Sequence, residues 1–168
     1  MTLRPVALSG SELVAWRLDQ VIHASTLDSG ERAYRVGGRW NGKGIRAVYC
    51  SLDPATAILE VAVHKGFRAP DTIAHTMTAL TITDPAEVHV VEPGSVPNSN
   101  WLSSGIPGAG QQAFGDDLLR RHRFVALPSA VSPHSWNLIF AADVSEQGYS
   151  LKFQEPFALD TKLHPSVA

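Results

Sequence analysis

The chain has 168 residues, 44% of them apolar and 18% charged, with a formal net charge of −2. That length fits one ordinary domain with a real core, the composition excludes a disordered chain, and the near-neutral balance excludes any global pull toward nucleic acid or membrane, so a basic site has to be local. One cysteine, Cys50, excludes an internal disulfide framework and fits a reducing compartment.

Met1–Gly10 carries one arginine and no long apolar core, unlike a signal peptide, and no apolar run approaches the roughly 18 residues of a membrane span. A soluble, cytoplasmic protein is expected. Within Ser11–Ser25, Val14, Trp16 and Leu18 alternate as in a strand, with Arg17 on its other side. Thr26–Val36 is polar and glycine-punctuated and reads as a loop. Gly37–Gly44 follows, with four glycines in eight positions; such turns let a ligand approach the backbone and gather amide donors around an anion. Five cations (Arg32, Arg35, Arg39, Lys43 and Arg46) lie between positions 32 and 46 with no acid among them. The run has neither the Lys-Ser/Thr of a phosphate loop nor a dinucleotide GxGxxG, and a hairpin turn with solvated charges reads it equally well.

Ile45–Ser51 is expected as a strand, with Ile45, Ala47 and Tyr49 on one side and Arg46, Val48 and Cys50 on the other. Asp53 and Pro54 form a favourable cap and first turn for a helix over Pro54–Lys65, ending at Gly66. Ala55, Ile58, Leu59 and Ala62 make its apolar stripe, widened by Val61 and Val63, so most of the helix is predicted to be buried. Glu60 sits in that surface with His64 one turn later. A carboxylate there is costly unless paired or functional, so it either forms an ion pair with a nearby arginine or does chemistry.

Further strands are predicted over Thr72–Thr83, Val88–Val91, Phe124–Leu127 and from Tyr149 to Phe153, and a helix over Gln111–Arg123 with Phe114, Leu118 and Leu119 inward and its late arginines solvated. Pro93–Gly110 reads as a long surface loop around Trp101, exposed enough to serve a contact. Ser129 opens a turn after Pro128, Val131–Phe140 holds His134, Trp136 and Asn137, and Phe157–Leu163 trails as a tail or edge. The core is expected over about residues 11–160 of a single domain.

The scattered histidines lack metal-ligand spacing, and Ser129 stands in Leu-Pro-Ser-Ala-Val, not in a GxSxG elbow. Arg39-Trp40 is the basic-aromatic pair within the cationic run, short of the aromatic-interleaved basic face that single-stranded nucleic acid favours. The parts that remain (an arginine, a tyrosine, an acid and a serine) suit a nucleotide diphosphate and the oxocarbenium-like state of glycosidic cleavage.

At Gly37-Gly38-Arg39-Trp40-Asn41, Val48-Tyr49, Ala57-Ile58-Leu59-Glu60 with His64, and Pro128-Ser129-Ala130 followed by Asn137, the sequence resembles the RES-domain toxins of bacterial Xre–RES toxin–antitoxin pairs. The likeness extends to the Trp16-Arg17 strand and the aromatic tail. It implies a compact α+β domain related to ADP-ribosyltransferase toxins, consumption of NAD as substrate by hydrolysis or phosphorolysis, or by ADP-ribosylation of a protein, no metal, and a cognate Xre-type antitoxin over the pocket. On the same likeness Arg39 would hold the phosphates with Arg17 as a second ligand, Trp40 and Asn137 would contribute to the dinucleotide site, and Tyr49 would pack on the nicotinamide or ribose. Glu60 would stabilise the ribosyl cation or orient the attacking nucleophile, and Ser129 would hydrogen-bond the dinucleotide. Read as an ion pair, Glu60 and Arg39 would touch in the empty site and separate around substrate. The acceptor (water, inorganic phosphate or a protein) and homo-oligomerisation stay open, as does a non-catalytic nucleotide- or partner-binding module. One departure stands out: Ala141-Ala142 replaces an Asn-Pro that many members carry after the asparagine.

Overall fold

Alternating apolar residues build two cores from one sheet. The computed structural model describes residues 5–66, 69–101, 105, 107–143 and 147–159. Among them, seven strands are placed: β1 (Leu13–Gln20), β2 (Ala47–Ser51), β3 (His75–Ile82), β4 (Val88–Val90), β5 (Phe124–Pro128), β6 (Trp136–Ala141) and β7 (Tyr149–Phe157). The α-helices are α1 (Glu31–Val36), α2 (Pro54–Lys65), α3 (Ala69–Thr72) and α4 (Ala109–Arg121). The strands form one sheet in the order β4-β5-β6-β2-β1-β3-β7, antiparallel except for the β4/β5 pair. The expected single α+β domain is what the chain forms.

Side chains alternate across each strand, and the two cores follow that alternation. Val48, Cys50, Phe124, Ala126, Leu138 and Phe140 join Leu13, Ala15, Leu80 and Ile82 in one core. Ala47, Val125, Leu127 and Ile139, from the same strands, join Leu118 and Leu119 of α4, Trp40 and Trp101 in the other. Four strand steps separate β6 from β7 in the sheet order, about 19 Å if the sheet were flat. The rings of Phe140 and Tyr149 nonetheless lie 5.2 Å apart, so the sheet folds back on itself and encloses the first core. Its crease falls where β1 and β2 register at a single pair, Trp16 with Ser51. Each fully buried Leu or Phe in such a core stabilises the fold by about 1.5–3 kcal/mol.

The structure corrects several sequence expectations. Residues 31–36 form α1 where a loop was expected, and β7 continues to Phe157; the predicted tail beyond residue 159 lies outside the described residues. In β1 the buried side is Leu13, Ala15 and Leu18, with Val14 and Trp16 only part-buried. Helix α2 has the predicted limits but buries Thr56, Ala57 and Ala62 and leaves Ala55 and Val63 exposed; its small residues, not its larger ones, let it lie close on the sheet. The loop around Trp101 is largely exposed among its described residues, as expected, but the tryptophan itself is not. Trp101 is 5% exposed and its ring packs 5.4 Å from that of Trp40.

Candidate active site

Glu60 owes its position to the cap of its own helix. Asp53 has extended backbone angles, and its carboxylate accepts from the Thr56 backbone N–H at 2.8 Å and the Thr56 hydroxyl at 2.6 Å, which fixes the first turn of α2 right after β2. Two turns on, Glu60 meets Asn137 of β6, Ser129 just after β5, and His64 of its own helix. Its Oε1 accepts from Asn137 Nδ2 at 2.6 Å and from Ser129 Oγ at 2.9 Å. Its Oε2 faces only His64 Nε2, at 3.4 Å.

Each donor is itself oriented. Asn137, in register with Ser51, accepts from the Ser51 hydroxyl on Oδ1 at 2.9 Å, which turns its NH2 toward Glu60. Ser129, 0% exposed, follows β5 and accepts on Oγ from the backbone N–H groups of Val131 and Ser132 at 3.2 and 3.3 Å. With those acceptor sites occupied, its one hydroxyl hydrogen goes to Glu60. Ser129 therefore gives its hydroxyl hydrogen to the acid, a partner that the sequence expectation, which assigned it to the dinucleotide, did not name. Burial pushes the Glu60 carboxyl up, but the bonds from His64, Asn137 and Ser129 outweigh it and hold the group below its usual range. The result is an ionised carboxylate with Oε1 held by two donors and Oε2 facing His64, its side chain 22% exposed.

The expected Glu60–Arg39 contact is absent: Glu60 has the partners above, and Arg39 donates from Nη1 to the Trp101 carbonyl at 2.8 Å. Trp40 is 1% exposed in the second core, its ring against Trp101 and Phe114, so it has no free face for a base to stack on. The Tyr49 hydroxyl donates to Asn41 Oδ1 at 2.7 Å and accepts from the Trp40 backbone N–H at 3.0 Å, and burial drives its pKa upward. Tyr49 thus anchors the glycine turn; a Cβ at Gly38 would stand 2.6 Å from the Tyr49 hydroxyl. Cys50, the expected core filler, is buried and its thiol is pushed up to about 12 by burial.

The basic run does not converge. Glu31 takes both Arg35 and Arg46, and Lys43 is exposed. Cations gather instead at the C-terminal end of α2. Burial first, then Arg32 and Arg17, lower the Lys65 ammonium's pKa against an opposing pull from Asp19. Arg17 donates from Nε and Nη2 to both Asp19 oxygens at 2.6 and 2.9 Å, and from Nη1 to the Tyr49 carbonyl at 2.7 Å. Sequence reading missed Ser51, Asp19 and Lys65. Only Ser51 left a local signal, its position between strand and cap.

Ala141-Ala142 lies away from the acid. Ala141 pairs with Ala47 at the far end of β6 from Asn137, about 13 Å along the strand, and the Ala142 N–H donates to the Arg46 carbonyl at 2.9 Å, a bond that proline lacks the hydrogen to make. Among the described residues, no helix is long and apolar enough to cross a membrane, and no group of three or more His, Cys, Asp or Glu is placed to hold a metal ion.

A family model of the RES domain matches residues 14–160, spanning both the Arg17 cluster and the Glu60 network. The chain belongs to the RES-domain family. It is similar to "Toxin Res" of Pseudomonas putida, with 29% identity over 158 residues that cover 90% of this chain and 99% of that protein. Its fold is that of a chain in the crystal structure of the M. tuberculosis MbcT–MbcA toxin–antitoxin complex, with a TM-score of 0.70 and 20% identity over 88% of this chain and 85% of that one.

Proposed function

We propose that this RES-domain protein is the toxin of a toxin–antitoxin pair and acts by cleaving NAD at the nicotinamide–ribose bond. The observation that carries the reading is the Glu60 carboxylate, fixed on Oε1 by Asn137 and Ser129, with Oε2 part-exposed beside His64. In the reaction the C1′–N bond breaks, its electron pair stays on the ring nitrogen of the departing neutral nicotinamide, and positive charge develops on the ribose. Oε2 accepts from a ribose hydroxyl and offsets that charge, while the oxygen of water or phosphate bonds to C1′ and loses its proton. Arg17, Arg32 and Lys65 supply the cationic side for the pyrophosphate. The toxin role and the antitoxin partner rest on the similarity to Toxin Res and to a toxin–antitoxin complex.

Incubation with NAD, with and without phosphate, tests the reading. Release of free nicotinamide is expected, with ADP-ribose or its 1″-phosphate as co-product. Nicotinamide at background in both buffers excludes the hydrolytic and phosphorolytic forms; label from NAD on a protein band assigns the chain to ADP-ribosyl transfer; binding without turnover makes it a nucleotide-binding module.

A further inference from the structure

We infer that Asp19 is a positioning residue for the substrate's pyrophosphate: by holding one edge of the Arg17 guanidinium, it fixes the direction in which Arg17 offers its remaining N–H donors. The inference rests on the NAD reading above.

The pair is built into the strand. Arg17 and Asp19 are two positions apart in β1, a spacing that puts both side chains on one face. Asp19 takes the Nε and Nη2 hydrogens in a two-bond fork, while Nη1 reaches the Tyr49 carbonyl of β2. The guanidinium is therefore tied to both strands at the crease, beside their single register pair. These bonds use three of its donors; of the five that a guanidinium carries, the others have no protein partner among the described residues, and the side chain is 25% exposed.

The charge around the pair favours an anion. Arg32 and Lys65 have no hydrogen-bond or ion-pair partner among the described residues, and Lys65 lies within electrostatic reach of Arg32, Arg17 and Asp19. One carboxylate among three cations leaves a net positive site for a doubly charged diphosphate. A free arginine has to lose its rotamer freedom on binding, and Asp19 removes that cost in advance. Asparagine at position 19 keeps one acceptor and turns an NH2 toward the guanidinium, so the fork is lost.

The test is calorimetric titration with ADP beside steady-state NAD cleavage. Asp19→Asn is expected to weaken ADP binding and raise KM for NAD about tenfold with kcat within about twofold of wild type. Asp19→Glu, which keeps both acceptor oxygens, falls between the two. Arg17→Lys with Asp19→Asn binds no more weakly than Arg17→Lys alone, because the pair acts as one unit. Tighter ADP binding by Asp19→Asn would make Asp19 a competing anion and overturn the inference. Unchanged binding with only a lower Tm would make it a structural residue and overturn it as well. Wild-type protein that neither cleaves NAD nor binds ADP sinks the NAD reading and this inference together; wild-type binding that Asp19→Asn leaves untouched sinks this inference alone.

Discussion

Around Glu60, every hydrogen bond has a fixed direction: Ser51 to Asn137, Asn137 to Glu60, two backbone amides to Ser129, and Ser129 to Glu60. In and around the glycine-rich turn earlier in the chain, three arginines are instead bound to the protein. Glu31 holds Arg35 and Arg46, Arg39 reaches the Trp101 carbonyl, and Trp40 lies in a core. Those arginines commit donors to the protein itself, while the neighbourhood of one acid is arranged as a reactive group has to be. Preorganised donors mark a site better than a count of charges does.

The largest expected effect breaks the ordered side of this contrast. Glu60→Gln keeps the shape and one acceptor oxygen but removes the negative charge, so NAD cleavage should fall by about 10²–10³-fold, with the circular dichroism spectrum unchanged. Cleavage at wild-type rate would remove the acid from the chemistry.

Gly115→Ala breaks the other side, the turn. A Cβ on Gly115 of α4 would lie 1.8 Å from the Trp40 carbonyl oxygen and 2.6 Å from its carbon, so helix or turn has to move as backbone. A loss of about 3 kcal/mol in urea unfolding is expected, and the molecules that remain folded should cleave NAD at the wild-type rate.

These two positions also show what was legible in the sequence. The limits of α2 could be read to the residue, because Asp53, Pro54 and Gly66 punctuate it chemically. Which face of α2 is buried could not, since Thr56 and Ala57 are chosen by close contact with the sheet and not by hydrophobicity. The acid stood out as a carboxylate on an apolar helix, and Ser129 and Asn137 came from family resemblance. Their actual partners come together only through β5, β6 and the register of Ser51 with Asn137. Helix α1 is too short for a periodicity to be read, and the Arg39–Trp101 bond spans 62 positions with no local signal. The loop around Trp101 is as exposed as its Pro, Gly and Ser content predicts; what the sequence hid is that its tryptophan belongs to a distant core.

Ser129→Ala sharpens the contrast at intermediate size. It removes one of the two donors on Oε1 and strands two backbone N–H groups, so about a tenfold loss of kcat/KM and about 1–2 kcal/mol of stability are expected. The pH dependence carries the sign. The Glu60 pKa is lowered in the folded state, so its stabilising contribution is complete above the usual 4.5 and is lost as pH falls through the folded value. The stability difference between wild type and Glu60→Gln should therefore be flat at neutral pH and shrink only in acid. In Ser129→Ala that decline should be smaller and finish at higher pH, because a donor to the charged form is gone and the folded value moves back toward 4.5; an unmoved decline would separate Ser129 from the acid.

Arg35→Ala carries the smallest expected effect and bears most directly on the basic turn. Arg35 and Arg17 each bond a carboxylate, but their surroundings differ. The Arg35 side chain is 72% exposed and its partner Glu31 40%, against 25% and 13% for Arg17 and Asp19. Solvent screens the first pair, and Glu31 keeps Arg46 when Arg35 is removed. No measurable change in Tm or in NAD cleavage is expected. A fall in kcat/KM of more than about threefold, well beyond the usual reach of an exposed ion pair, would mean that the turn binds substrate after all, and the Arg17–Asp19 crease would then share the pyrophosphate with it.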